Sequence, residues 1–559
     1  MVKSFFSLFN REIAGLHQAA YLLGFFAICS QILALVRDRI LAGSFGAGNT
    51  LDLYYSAFRI PDILFVTVAS IVSISVLIPF LIERFEKSDE DAREFIDNVF
   101  SFFFGFMVVA GIVAFITAPY FMTLLFPVFA KSSSFPELIS LTRILLLSPV
   151  FLGFSNLLAS ITQIHRRFFI YAVAPVIYNI GIIFGIIFLY PKFGLIGLGW
   201  GVALGAFLHF AIQIPFIVSQ KMFPRLRFPI KLSLIKRIIY TSFPRTITSS
   251  SNELAELFLI SFASFFIPGS VSVFNFSFNL QSVPFSIIGV SYSLAAFPTL
   301  TRLFSGGNKG EFVEQMIVSA RHIIFWSAPI MVLFIVLRAQ IVRTILGAGK
   351  FNWDDTRLTA AALAIFIASL IAQNLTALFV RSYYSQGRTK TPLIMNVVSA
   401  LIIIFGSYYL VHIFQNNFFF RDFFESILKV GGVPGTVVLM LPLGFSIGVL
   451  FNLIIHWVGF QHHFPSFSAS VLRTLFEVTG ASVIMGYITY KFLSVFDSVF
   501  DINTLFGIFL QGFLSGMIGI ASAIVVLYLL HSRELSEVWG ALHRKIWRVK
   551  VVGPDAELQ

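Results

Sequence analysis

Six ionisable residues crowd the stretch VRDRILAGSFGAGNTLDLYYSAFRIPD at 36–62, with apolar segments on both sides. They are Arg37, Asp38, Arg39, Asp52, Arg59 and Asp62, and glycines 43, 46 and 48 lie between them. A charge near the centre of a bilayer costs at least about 2.5 kcal/mol on insertion scales, so such groups normally face a watery cavity and act there. The segment is therefore the first candidate for a substrate site. A structural reading stands beside it. Arg37, Asp38 and Arg39 can form an ion network at a helix end, and Arg59 with Asp62 has the i,i+3 spacing of a pair that serves only the fold.

These residues need a membrane scaffold, and the composition supplies one. The chain of 559 residues is 57% hydrophobic and only 12% charged, with a mean hydropathy of +0.88. Soluble domains carry roughly twice that charge. Apolar runs long enough to cross a bilayer recur along the length, which predicts an all-α polytopic membrane protein. The runs are continuous, not alternating, which excludes a β-barrel. Cys29 is the single cysteine, so no internal disulfide forms. The formal charge of +12 fits cytoplasmic loops facing anionic lipid. Nucleic acid is not an expected partner, because no basic soluble domain is present. The first apolar run, from His17 past Ala34, does not have the pattern of a cleavable signal peptide.

Fourteen spans are expected, near 17–44, 52–82, 97–128, 138–163, 168–190, 195–218, 238–266, 270–302, 314–337, 357–385, 391–414, 436–459, 471–493 and 503–531. The charged link 338–356 reads as an interfacial helix followed by a turn. Lys and Arg concentrate in alternate loops, at Arg84, Lys87 and Arg93, at Arg166 and Arg167, across 221–237, at Arg302 and Lys309, and at Arg388 and Lys390. Lys3, Arg11 and the tail from Arg533 to Lys550 fall on the same side, so both termini are expected in the cytoplasm. The halves repeat. APVIYN at 174–179 matches TPLIMN at 391–396, ALGAFLHFAIQ at 203–213 matches SIGVLFNLIIH at 446–456, and FGAGNTLDLYYSAF at 45–58 matches FIPGSVSVFNFSFN at 266–279 more weakly. A parallel repeat implies two bundles about an axis along the membrane normal, with a cavity between them. The small-residue spacing of GLIGLGWGVALGAF at 194–207 suits close helix packing.

No catalytic constellation is present in the sequence. GAGK at 347–350 lacks the upstream glycine and the following Ser/Thr of a phosphate-cradling loop. GGNKG at 306–310 is a connector, and the adjacent His462 and His463 cannot both face one metal from a helix. Transport would then draw on an ion gradient, the membrane potential or the substrate's own gradient.

The chain resembles the MurJ/MviN-type lipid II flippases of the multidrug/oligosaccharidyl-lipid/polysaccharide exporter superfamily. The resemblance is carried by SQILALVRDRILAGSFGAG (30–48), LDLYYSAFRIPDIL (51–64), LLASITQIHRRFFIYAVAPVIYNIG (157–181), GSVSVFNFSFN (269–279), FPTLTRLFSGGN (297–308), GAGKF (347–351) and YYSQGRTKTP (383–392). It implies a V-shaped pair of six-helix bundles, at 1–218 and 219–460. Two extra helices at 461–531 would form a groove for a lipid tail, and 532–559 would be a basic cytoplasmic tail. It also implies a multi-pass protein of the bacterial inner membrane, not an enzyme, that moves an undecaprenyl-pyrophosphate-linked peptidoglycan precursor to the outer leaflet by alternating access. Membrane lipids and cell-wall synthesis enzymes are the further partners it suggests.

On that resemblance Arg37 and Arg59 are the residues expected to contact phosphate, since an arginine fork matches pyrophosphate oxygens in a dry cavity. Asp38 and Asp52 would orient the arginines or act in gating. Several family cations are absent: Gln31, Phe65, Val66 and Asn279 stand where arginines are expected, and Ser70-Ile71 replaces Glu-Gly. Arg245 and Arg381 are candidate substitutes, although Arg245 can instead snorkel to the interface. Glu253 and Glu256 share a helix face and can hold a coupling cation or pair with Arg245 or Arg37. Asn396 matches the asparagine of a family sodium site, but the acid one turn later is Ala400. Coupling Na+ or H+ is the only small-ion requirement expected, with no metal or organic cofactor. Pro61, Pro79, Pro244, Pro284 and Pro298 are candidate bends. The other readings are export of a different lipid-linked oligosaccharide, cation-coupled drug export, and a degenerate flippase that scaffolds envelope-synthesis enzymes.

Overall fold

The computed structural model describes residues 16–69, 74–165 and 167–547. Lys3, Arg11, Arg166, Ser70, Ile71 and the tail beyond 547 lie outside the described residues, as do the side chains of Pro79, Pro244 and Arg245. Every regular element among the described residues is helical. Among the described residues, ten helices are long and apolar enough to cross a membrane, or eleven if Trp353–Ile367 and Leu370–Ser385, bent by 43°, form one span. Three of the fourteen expected spans include residues or side chains outside the described ones and are not among these helices. They correspond to the helix Leu16–Phe45, the broken segment 49–85 and the helix Leu232–Ala263. These three carry the Arg37, Arg59 and Glu256 clusters.

Several expected spans are interrupted, and two of the breaks, in 52–82 and in 357–385, have a local reason. Ahead of Pro61 the helix Asn49–Ala57 ends, and the chain restarts as Arg59–Leu64 and a π-turn at Phe65–Ala69. Proline has no N–H to give the carbonyl one turn back, which here belongs to Ala57. The break at Ser369 has no proline, but the Ser369 hydroxyl donates to the Phe366 carbonyl at 2.7 Å. Such back-bonding competes with the helical ladder and bends it. Another π-turn, Ser286–Val290, follows Pro284. Phe65 and Ser286 both lie 20 residues beyond the phenylalanine that opens their repeat segment, Phe45 and Phe266. The repeat thus extends to a backbone irregularity at the same register.

The charged link is Arg338–Leu346 followed by a turn, as its composition predicts. Sequence assigns no element to 415–435, yet Phe418–Leu428 is helical, started by Asn417 accepting the Phe420 N–H at 3.0 Å.

The chain divides into two compact units that are each discontinuous in sequence. One comprises Met1–Leu280, Ile345–Ile365 and Thr389–Val449; the other comprises Gln281–Thr344, Phe366–Arg388 and Leu450–Gln559. The first holds a core in which Leu77, Phe95, Phe103, Leu157, Ile161 and Ile217 are buried. Within it the helices Phe168–Phe184 and Leu195–Ala211 meet backbone to backbone: a Cβ on Gly181 would lie 2.3 Å from the Gly205 Cα. The small-residue spacing is thus a packing device, worth van der Waals contact in a medium that offers no hydrophobic drive between helices. In the second unit Phe467–Asp497 packs between Lys309–Val336 and Leu505–Leu529, with Gly486 against Val332 and Gly519 against Thr489.

Candidate functional site

Arg37 and Asp38 lie on Leu16–Phe45 and bond to each other. Arg37 Nε and Nη2 donate to Asp38 Oδ1 at 2.9 and 2.8 Å, and Nη1 donates to Asn179 Oδ1 at 3.3 Å. Asn179 is buried, and its amide nitrogen donates to Ser30 Oγ at 3.2 Å and to the Pro175 carbonyl at 3.1 Å. Those two bonds aim the Asn179 oxygen at the guanidinium. The second oxygen of Asp38 accepts from Asn279 Nδ2 at 3.2 Å. The Arg37 side chain keeps 20% exposure against 5% for Asp38. These contacts use three of the five guanidinium N–H groups, so an oriented, partly exposed donor set remains.

Arg59 is held differently. It is buried, donates to the Tyr55 carbonyl at 3.2 Å, and meets Glu256 at 2.8 Å and Asp62 at 3.4 Å. Two carboxylates neutralise one guanidinium, so any phosphate must compete with them. Glu256 therefore pairs with Arg59, while Arg37, one of its two expected partners, is bonded to Asp38 instead. Glu253, one turn earlier on Leu232–Ala263, is half-buried. Arg245 is on the same helix, with its side chain outside the described residues.

Asp52 orients neither arginine. Its Oδ2 accepts the Gly269 N–H at 2.6 Å, and Oδ1 accepts the Ser272 N–H and hydroxyl at 2.8 and 2.6 Å. The N–H groups opening a helix lack intrahelical partners and carry partial positive charge, so a buried carboxylate is stable at the start of Ser270–Phe285. The reason for the correction is spatial: Asp52 sits one turn into Asn49–Ala57, and that turn abuts the repeat-related Gly269.

A third segment joins this junction. Lys350 N–H donates to the Gly43 carbonyl at 2.9 Å, Arg39 Nη1 to the Ile345 carbonyl at 3.2 Å, and Ala47 N–H to Asp355 Oδ2 at 3.4 Å. Gly349 has φ +50°, and a Cβ there would lie 2.2 Å from the Gly43 carbonyl oxygen. GAGK is therefore a backbone docking element. Three segments of the chain thus meet at one junction.

Arg381 belongs to the other unit, where its Nε donates to Ser293 Oγ at 2.9 Å. Asn396 is buried on Lys390–Asn416 in the first unit, with Ala400 one turn on. Among the described residues no group of three or more His, Cys, Asp or Glu is placed to hold a metal ion. Sequence reasoning missed Asn179 and Ser272 as site residues. The shared Pro-x-x-x-Asn of the two repeats flagged the first as a repeat mark only, and no sequence signal marks the second.

A multi-pass α-helical chain with ionised clusters set into three of its helices, and an internal repeat in register, has the build of a secondary transporter. The family model described as "Lipid II flippase MurJ" matches residues 41–511, and the chain belongs to that family. It is 25% identical over 501 residues to a probable lipid II flippase MurJ of Buchnera aphidicola, covering 87% of this chain and 93% of the relative. To a probable lipid II flippase MurJ of Thermotoga maritima it is 27% identical over 456 residues, covering 76% and 91%. To the lipid II flippase MurJ of Burkholderia cenocepacia it is 24% identical over 399 residues, covering 69% and 76%. Among solved structures, a lipid II flippase MurJ in an inward closed conformation superposes with a TM-score of 0.71 at 22% identity, over 94% of this chain and 100% of that one. An inward-facing MATE multidrug resistance transporter of the MOP superfamily gives 0.62 at 16% identity, over 78% and 95%. These structural likenesses establish the shared fold.

Proposed function

We propose that this chain flips an undecaprenyl-pyrophosphate-linked peptidoglycan precursor, lipid II, from the cytoplasmic to the outer leaflet of the bacterial inner membrane by alternating access. The observation that carries the reading is the Arg37–Asp38 pair, held by Asn179 and Asn279 with the guanidinium partly exposed. Asp38 fixes the fork, and its remaining donors suit pyrophosphate oxygens. Arg59 contributes when the substrate displaces Asp62 or Glu256, and Arg245 and Arg381 replace cations lost at Phe65, Val66 and Asn279. Residues 1–218 and 219–460 act as the two bundles, the helices at 461–531 take the lipid tail, and both termini lie in the cytoplasm on the strength of the Lys/Arg-rich loops. No covalent chemistry is needed. An H+ or Na+ gradient drives the cycle, with Glu253 and Glu256 as the coupling carboxylates and Asn396 as the residue in register with the family sodium site.

A second reading, export of another lipid-linked glycan, is favoured by Asn279 where the resemblance places an arginine. The test is complementation of a strain depleted of its own lipid II flippase. Growth that requires Arg37 supports lipid II; no growth despite normal membrane insertion points to another glycan, or to a scaffold for cell-wall synthesis enzymes.

A further inference from the structure

The helix Phe418–Leu428 has no buried residue, yet three segments hold it in place. Near its start Phe420 meets Phe414, the last buried residue of the span Lys390–Asn416, with ring centroids 6.4 Å apart. Further along, Glu425 Oε1 accepts the Thr436 hydroxyl at 2.6 Å, and Thr436 opens the next span, Thr436–His463. Just past its end the Lys429 carbonyl accepts from Arg357 Nη2 at 2.7 Å and Nε at 3.2 Å, and Arg357 lies one turn into the apolar helix Trp353–Ile367. The helix therefore lies across the ends of these three segments and does not project away from them. Only Asn417 separates it from Lys390–Asn416, so it sits at the level where that span leaves the hydrocarbon.

The side chains sort by face. Phe420, Phe424 and Leu428, four residues apart, are half-buried, and Phe420 is the one against Phe414. Phe419, Phe423 and Ile427 form the neighbouring stripe and are 82, 57 and 59% exposed. Arg421, Asp422, Glu425 and Ser426 take the remaining arc. The stripe shows on the order of 400 Å² of contiguous apolar surface, as much as the largest patch of a whole soluble monomer. It continues the lipid-facing surface of the adjoining span, where Phe405, Tyr408 and Tyr409 are also mostly exposed. Tyr409, two turns before that span ends, and exposed Trp353, at the start of Trp353–Ile367, are of the types enriched at a membrane interface. The charges of Arg421, Asp422, Glu425 and Lys429 cancel, so a charged headgroup gains nothing here and apolar burial is the driving force. We propose that Phe418–Leu428 inserts Phe419, Phe423 and Ile427 into the bilayer at the boundary of acyl chains and headgroups, and so pins the ends of three segments at that depth. The anchor is independent of the glycan carried, so its failure would leave the flipping proposal untouched.

The test is electron paramagnetic resonance on the full chain in phosphatidylcholine nanodiscs. Cys29 is the single cysteine, so a Cys29→Ser background accepts one nitroxide at a time, at Phe423→Cys, Ile427→Cys, Asp422→Cys or Ser426→Cys. Labels at 423 and 427 should favour collision with oxygen, which concentrates in lipid, over a water-soluble nickel chelate by several-fold relative to labels at 422 and 426. Raised salt, or phosphatidylglycerol in the disc, should leave that contrast unchanged. Equal access of the chelate to all four positions would overturn the proposal. So would shielding of 423 and 427 from both reagents, the signature of a second copy on the stripe, or a contrast that appears only with phosphatidylglycerol at low salt.

Discussion

Asp52 Oδ2 lies 2.6 Å from the Gly269 backbone nitrogen, so a carboxylate from one repeat segment closes the helix that opens the other. Gly48 and Gly269 hold equivalent repeat positions and each precedes a helix, Asn49–Ala57 and Ser270–Phe285. Two positive helix ends therefore meet, with Asp52 between them. Asp52→Ala should cost about 1–3 kcal/mol, the penalty for leaving buried N–H groups unmet. Asp52→Asn should cost less, because its oxygen still accepts. Thermal unfolding in detergent reads both, and an alanine variant as stable as the parent would rule out the cap.

The Arg59 cluster predicts strong non-additivity. Arg59→Met leaves Glu256 and Asp62 without their cation and should cost about 3–5 kcal/mol, as for other broken buried pairs. Arg59→Met/Glu256→Gln removes one of those charges and should recover part of the loss. A double-mutant cycle in denaturant measures the coupling. Simple additivity would mean that the pair contributes nothing as a pair.

Asn279 donates to Asp38 at the position where the family resemblance places an arginine. Asn279→Arg sets a second cation beside Arg37 and should tighten binding of undecaprenyl pyrophosphate about tenfold, in keeping with a hydrogen bond to a charged group. Titration at two salt concentrations checks this, because the gain should shrink as salt rises. Unchanged affinity would place the ligand elsewhere.

The three-segment junction can be probed without touching a charge. Gly349→Ala combines positive φ with a Cβ 2.2 Å from the Gly43 carbonyl, whereas Gly307, at φ +78°, has nothing within 4 Å of the new methyl. Gly307→Ala should cost only the left-handed backbone penalty, about 1–2 kcal/mol. Gly349→Ala should cost clearly more in the same thermal unfolding assay. Equal costs would show that Gly349 does not seat against Gly43.

Docking of the C-terminal helix should weaken in acid. Burial raises the Glu534 carboxyl, but its own backbone N–H, Ser532, Arg321 and Thr474 donate to it and hold it below the ordinary 4.5. A depressed carboxyl stabilises the folded form above its unfolded value and loses that contribution as pH falls through its folded one. Proteolysis between 530 and 547 should therefore accelerate as pH drops below 4.5 in the parent. Glu534→Gln should flatten that profile; a parent profile already flat would contradict the linkage.

Legibility in the sequence followed the range of the interactions. Helices with uniform apolar runs, such as Leu505–Leu529, are readable because hydropathy alone builds them. Arg37, Asp38, Arg59 and Glu256 were visible as costly charges, and Arg37–Asp38 and Arg59–Asp62 as local pairs, but the Arg59–Glu256 pair was not. Which acid meets Arg59 depends on the approach of a helix nearly 200 residues away, and no local pattern records that. The contacts of Asp52 were hidden for the same reason, since its partners include backbone N–H groups that any residue provides. The break at Ser369 escaped because a serine hydroxyl, not a proline, turns the chain.

The central claim is that lipid II crosses the bilayer past Arg37. The most direct measurement is exposure of lipid II in the outer leaflet of flippase-depleted cells expressing this chain, read by an added enzyme that cleaves lipid II only from outside. The account predicts cleavage restored by the parent and lost with Arg37→Ala at equal membrane abundance. Lipid II still protected from cleavage with the parent in the membrane, or cleaved equally with Arg37→Ala, would contradict it.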